Sequence, residues 1–180
     1  GLPVSADVSS EDADVVAAGD ALLAAAVRTT RDVGGTTLGG ILFSAHAKYG
    51  AKPTAQGRRN SVAAVSRAAA VAEAAGVDLV LELVNRFESN LLNTTAQGLA
   101  YLDDVGSPVV KLHLDTFHMN IEEANPAAAI RLAGDRLGYF HVGESNRGYL
   151  GDGVIDFDAQ FDALLDIGYS KDIVFESFST

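Results

Sequence analysis

The chain has 180 residues, 48% of them hydrophobic, four prolines, and a net charge of -11 from 24 acidic and 13 basic residues. That acidity repels phosphate backbones and anionic membrane surfaces, so it gives no footprint for nucleic acid or membrane and favours a small neutral substrate. With no cysteine, disulfide and thiolate chemistry drop out and the compartment defaults to cytoplasmic; no signal segment and no membrane-spanning apolar run is visible.

In chain order, the stretch from about Ser10 to Asp32 predicts a helix, capped by Ser9 or Ser10 with acids in its first turn and stopped by Gly34-Gly35. Thr36 to Ser44 is strand-like, and its Gly39-Gly40 pair marks a close backbone approach. The polar loop AHAKYGAKPTAQGRR then leads into an alanine-rich helix from about Arg59 to Ala75, stopped by Gly76. There follow strand DLVLELV, helix Thr94 to Val105, strand Val109 to Asp115, helix Pro126 to Ala133, strand Leu137 to Val142, helix Phe157 to Ile167 and strand Asp172 to Phe175. Five strands and five helices in strict alternation imply an α/β architecture with parallel strands.

Four of the strand-like runs end in a hard metal-type ligand: Glu82, Asp115, His141 and Glu176, separated by 33, 26 and 35 residues. Those intervals match one strand-plus-helix unit, so the strands deliver the four residues to one common end, where barrels of alternating strands and helices carry their chemistry. Within the strands, period two sets Val110, Leu112 and Leu114 against Lys111, His113 and Asp115, and Leu79, Leu81 and Leu83 against Glu82. The leucine face meets the helices, and the ligands point into the barrel. A lone strand-end carboxylate more often caps a following helix than binds a metal, but four buried together need a shared cation. Three carboxylates and one imidazole suit a hard or borderline divalent ion in an octahedral shell: Mn²⁺, Mg²⁺ or Co²⁺, with zinc less favoured.

The chain starts without an initiator methionine and stops four residues past Glu176, whereas an eight-unit barrel takes roughly 250 residues. It therefore reads as a single domain, residues 1–180, forming the C-terminal part of a TIM (β/α)8 barrel, about strands 4 to 8. The N-terminal strands and the last helix are absent on this reading, and the functional polypeptide is expected to be longer, because parallel strands with open edges aggregate.

LELVNRFESNLLNT, LDTFHMNIEE, HVGESNRGYLGDG with the later FDALLDIGY, and VFESF resemble the D-tagatose 3-epimerase and D-allulose (psicose) 3-epimerase family, within the xylose-isomerase-like TIM barrels. The resemblance implies that Glu82, Asp115, His141 and Glu176 hold a divalent metal, Mn²⁺ first and Co²⁺ next, and that Glu82 and Glu176 are also the acid/base pair. It further implies that Glu88, His118 and Arg147 hold the sugar near its carbonyl end and that the protein assembles as a homodimer or tetramer. The family often has a proline where this chain has Ser177. The implied reaction inverts C3 of a free ketohexose, such as D-fructose/D-allulose or D-tagatose/D-sorbose, through a cis-enediolate, with one glutamate on each face of the sugar.

Each residue also has a plainer reading. His118 could be a loop histidine satisfied by backbone, Arg147 a partner for surface acids or for Glu176, and Glu88 the cap of a helix beginning near Ser89. His113 reads as a support for the ligands or a satisfied core histidine rather than a fifth ligand. His46 lies at the catalytic end with no partner fixed, and Lys48, Lys52, Arg58 and Arg59 form a solvated run. Alternatives are an aldose-ketose isomerase on the same barrel, a metal-dependent phosphodiesterase disfavoured by the charge, and an inactive fragment or degenerate binding barrel.

Overall fold

Alternation along the strands builds a sheet with two unlike faces. In the computed structural model, which describes residues 1–178, β1 (Thr37–Gly40), β2 (Asp78–Glu82), β3 (Val110–Asp115), β4 (Leu137–Val142) and β5 (Ile173–Phe175) form one sheet in chain order. Every pairing is parallel, the curved five-strand portion of a TIM barrel. Leu2 adds a single parallel bridge to Ala45 beyond β1.

Helices α1 (Ala13–Asp32), α2 (Ala55–Ala75), α3 (Thr95–Val105), α4 (Thr116–Glu122), α5 (Pro126–Ala133) and α6 (Phe157–Asp166) complete the described elements, with single 3-10 turns at Val4–Ala6 and Gly134–Arg136. Leu79, Leu81, Leu83, Leu112 and Leu114 are all buried in the core with Val65, Ala69, Tyr101, Leu102 and Ile130 from the helices. Each fully buried leucine is worth about 1.5–3 kcal/mol of transfer free energy, so this layer fixes which strand face turns toward the helices. No helix among the described residues is long and apolar enough to cross a membrane.

The boundaries differ from expectation for local reasons. α1 begins at Ala13 because Asp12, not a serine, caps it, its carboxylate accepting the Asp14 N–H at 2.9 Å; the Ser9 hydroxyl donates to Asp7 instead. α2 begins at Ala55 because the Thr54 hydroxyl accepts the Gly57 N–H at 3.0 Å, and it ends at Gly76, whose φ of 69° needs no Cβ. β1 stops at Gly40, where φ is 127°, and Ile41 to Ser44 continue as a buried loop. Strict alternation fails after β3, which runs directly into α4 and then α5.

One irregularity aims the site. The β3–β4 register pairs Leu112 with Leu137 but His113 with Tyr139, leaving Gly138 as the extra residue of a bulge. A Cβ at Gly138 would lie 2.7 Å from that of Lys111, so only glycine fits. Without the bulge Phe140 would stand opposite Asp115; with it, His141 does.

Candidate metal centre

Glu82 and Asp115 are the last residues of β2 and β3, His141 is the fifth residue of β4, and Glu176 follows β5. Parallel order carries all four to the same end of the sheet, where one ligand atom from each lies within 4.8 Å of the others. His141 Nδ1 sits 3.9 Å from Glu82 Oε1, 3.9 Å from Asp115 Oδ2 and 3.4 Å from Glu176 Oε2. That nitrogen is buried without a hydrogen-bond partner among the described residues. An orphaned imidazole nitrogen facing three carboxylates fits a divalent cation: oxygen donors with one borderline nitrogen.

The electrostatics are those of crowded acids. Burial pushes Asp115 up to about 7 against the pull of Arg147. Burial, and then the charge of Glu176, push Glu82 upward. Glu176 is held far below the usual carboxylate range by its contact with His141, outweighing its own burial, with Asp115 and Arg147 adding to the effect. Burial disfavours a charged His141, but the contact with Glu176 and the field of Glu82 prevail and raise it. Glu82 and Glu176 are thus driven in opposite directions.

Asp115 serves twice. Its Oδ1 caps α4 by accepting the Phe117 N–H at 2.7 Å, while Oδ2 accepts from Arg147 Nη1 at 2.9 Å. Oδ1 thus does the capping, and Oδ2 is the oxygen that faces the cluster. The same Arg147 nitrogen donates to Glu176 Oε2 at 2.6 Å, and the guanidinium lies 4.0 Å over the Phe117 ring. Arg147 has φ of 59°, the one non-glycine residue with positive φ among those described. Such strain, of order 1–3 kcal/mol, persists where surrounding contacts over-determine the conformation and clusters at functional sites.

Sequence reasoning placed His118 in a loop; it lies in α4 and is buried, brought inward because α4 starts directly at the strand end. Its Nε2 is 3.8 Å from Glu82 Oε1 and 3.9 Å from Asp115 Oδ2, and burial lowers its pKa to about 4, leaving a neutral ring. Glu88 caps no helix. Its Oε1 accepts from Asn85 Nδ2 at 2.8 Å and its Oε2 faces His46 Nε2 at 3.0 Å, which gives His46 a partner. His118, Arg147 and Glu88 thus gather beside the four converging side chains, directly or through Asn85.

His113 is buried, yet among the described residues neither of its ring nitrogens has a hydrogen-bond partner, so it is not a satisfied core histidine there. Its ring packs edge-on against His141 at 4.1 Å and Tyr139 at 5.1 Å, and burial holds its pKa well below the ordinary imidazole value. With Glu82 and His141 it forms an overlapping potential ligand group. The inner face of the sheet beside the cluster is lined by Gly39, Val80, Glu82, His113, Tyr139 and His141, and runs on to Thr36, Thr37 and Asp172 at the strand starts.

Two residues escaped sequence reasoning. Asn85 is buried between Glu88 and His118. Glu144 is buried under the β4–α6 loop, where it accepts from the backbone N–H groups of Ser145, Gly151 and Ile155. In sequence both look like ordinary turn residues.

The chain matches the family described as Xylose isomerase-like TIM barrel over residues 2–180. It is 54% identical to an L-ribulose 3-epimerase of Mesorhizobium japonicum over all of this chain and 61% of that protein. To a D-psicose 3-epimerase of Agrobacterium fabrum it is 41% identical, over 96% of this chain and 60% of that protein. The crystal structure of a Methylomonas D-allulose 3-epimerase in complex with D-allulose superposes with a TM-score of 0.98 at 49% identity, over all of this chain and 62% of that one. The chain thus spans about three fifths of the length of the relatives it matches.

Proposed function

Because this chain belongs to the Xylose isomerase-like TIM barrel family, we propose that it supplies strands four to eight, within a single domain, of a barrel that inverts C3 of a free ketose. The reading is supported above all by the convergence of Glu82, Asp115, His141 and Glu176 in a chain 54% identical to an L-ribulose 3-epimerase. Relatives are named for L-ribulose and D-psicose, so the substrate class is a free ketopentose or ketohexose.

The four residues would hold one divalent ion, Mn²⁺ first with Co²⁺ or Mg²⁺ as alternatives. Such an ion, when bound, polarises the C2 carbonyl and stabilises negative charge on O2, which makes the C3 hydrogen acidic. Glu82 and Glu176 come from strands three positions apart and so approach the sugar from opposite sides. One takes the C3 proton and the other returns it to the opposite face; neighbouring strands would put both on one face. His118, neutral and buried, and Arg147 present N–H donors to the oxygens at the carbonyl end, and Glu88 accepts from a hydroxyl. Assembly as a homodimer or tetramer belongs to the same reading.

In heavy water, the metal-loaded protein carrying the complete barrel is expected to wash deuterium into C3 of its ketose, read by NMR. Glu82→Gln and Glu176→Gln should each slow that exchange about 10²- to 10⁴-fold. Deuterium entering C1 instead would indicate an aldose-ketose isomerase, and undiminished C3 exchange in a variant would remove that glutamate from the acid/base pair.

A further inference from the structure

Asn85, three residues past the end of β2, is almost fully buried, and its amide orientation is fixed by its neighbours. Oδ1 accepts the Phe87 N–H at 2.9 Å, so Nδ2 faces the other way, 2.8 Å from Glu88 Oε1 and 2.9 Å from His118 Nδ1. The Asn85 backbone N–H points at the same ring nitrogen from 3.2 Å. Two donors on Nδ1 require it to offer its lone pair, and a neutral imidazole then carries its proton on Nε2.

The consequence appears on the far side of the ring. Nε2 lies 3.2 Å from Arg147 Nη2, and a guanidinium has no lone pair to offer. With Nε2 protonated, this is donor against donor, so the two groups cannot satisfy each other, and one acceptor placed between them would serve both. Neither carboxylate near Nε2 is close enough to play that part, at 3.8 Å for Glu82 and 3.9 Å for Asp115.

We propose that Asn85 is a positioning residue that locks His118 as the Nε2–H tautomer and holds Glu88 with the same amide, so that His118 and Arg147 form a two-donor cradle for one oxygen of the ligand. That the oxygen belongs to a ketose rests on the proposed function; the tautomer does not. One residue, through its backbone N–H and its amide, thereby fixes the donor face of His118 and the position of Glu88.

The test is side-chain NMR of ¹⁵N-histidine-labelled protein loaded with diamagnetic Mg²⁺, without sugar, followed by kinetics on the same samples. Wild-type His118 is expected as Nε2–H. Asn85→Ala keeps that tautomer through the backbone N–H but raises KM, because Glu88 loses its anchor. Asn85→Asp sets an acceptor against Nδ1, draws the proton to it, and lowers kcat about 100-fold, the scale of a misplaced reacting group, with Mg²⁺ affinity unchanged. Protonated Nδ1 in the wild type, or an unaltered tautomer in Asn85→Asp, overturns the proposal. The wild-type spectrum alone decides it if that variant does not fold. Failure of the epimerase reading would show separately, as the expected tautomer in a protein that exchanges nothing at C3.

Discussion

Asp115 and Glu144 are both sealed from solvent, both lie at the strand-end face, and yet they answer burial in opposite ways. Glu144 collects three backbone N–H groups from its own loop, at 2.7, 3.1 and 3.3 Å; despite the cost of burial, these hold its pKa below the usual carboxylate value. Asp115 has one backbone N–H and one guanidinium for its two oxygens, faces two glutamates and a histidine, and is driven up to about 7. A carboxylate satisfied by rigid amides belongs to the architecture, whereas one left crowded with like charge suits a cation.

Neutralising each in turn separates the two most sharply. Asp115→Asn should weaken divalent-ion binding, measured by calorimetry, more than about 100-fold. Stability without added metal should change by less than about 1 kcal/mol, since an asparagine oxygen can still cap α4 and burial already disfavours the charged acid. Glu144→Gln should do the reverse: an amide cannot accept all three N–H bonds, so stability falls by about 1–3 kcal/mol while metal affinity holds. Equal loss of metal affinity in the two variants would erase the distinction.

Arg147 links the regions, since it rises from the Glu144 loop and touches Asp115 and Glu176. Its positive charge competes with a cation for those oxygens, so Arg147→Leu should tighten divalent-ion binding about tenfold while impairing turnover. Weaker binding instead would mean that the guanidinium chiefly holds the ligands in place.

The smallest effect is pH-dependent. Glu144 has a folded pKa below its ordinary value of 4.5, so its stabilising contribution is present above about pH 4.5 and lost as pH falls through the lower folded value. Amides of Gly151 and Ile155 should therefore lose hydrogen-exchange protection on acidification below about pH 4.5. Protection that is independent of pH there would show that the amides, not the charge, carry the loop.

The convergence of Glu82, Asp115, His141 and Glu176 was legible because a charged residue at the end of an apolar run breaks the strand pattern, and the runs recur at one unit length. α5 and β4 fall at their expected bounds, marked by Pro126 and by the leucine-to-valine run. α4 was hidden because Asp115 ends a strand and caps a helix at once, with no Gly or Pro between them. The Gly138 bulge, the inward turn of His118 and the anchoring by Asn85 and Glu144 depend on partners far along the chain or on backbone amides, which leave no mark in residue type.

In the proposed site, four strand ends share one divalent ion. Anomalous diffraction from crystals of the complete barrel, grown with Mn²⁺ and soaked in ketose, tests it most directly. One manganese peak bonded to Glu82, Asp115, His141 and Glu176, with two sugar oxygens completing its shell, is the predicted result; a peak elsewhere, or none with these side chains fully ordered, would contradict it.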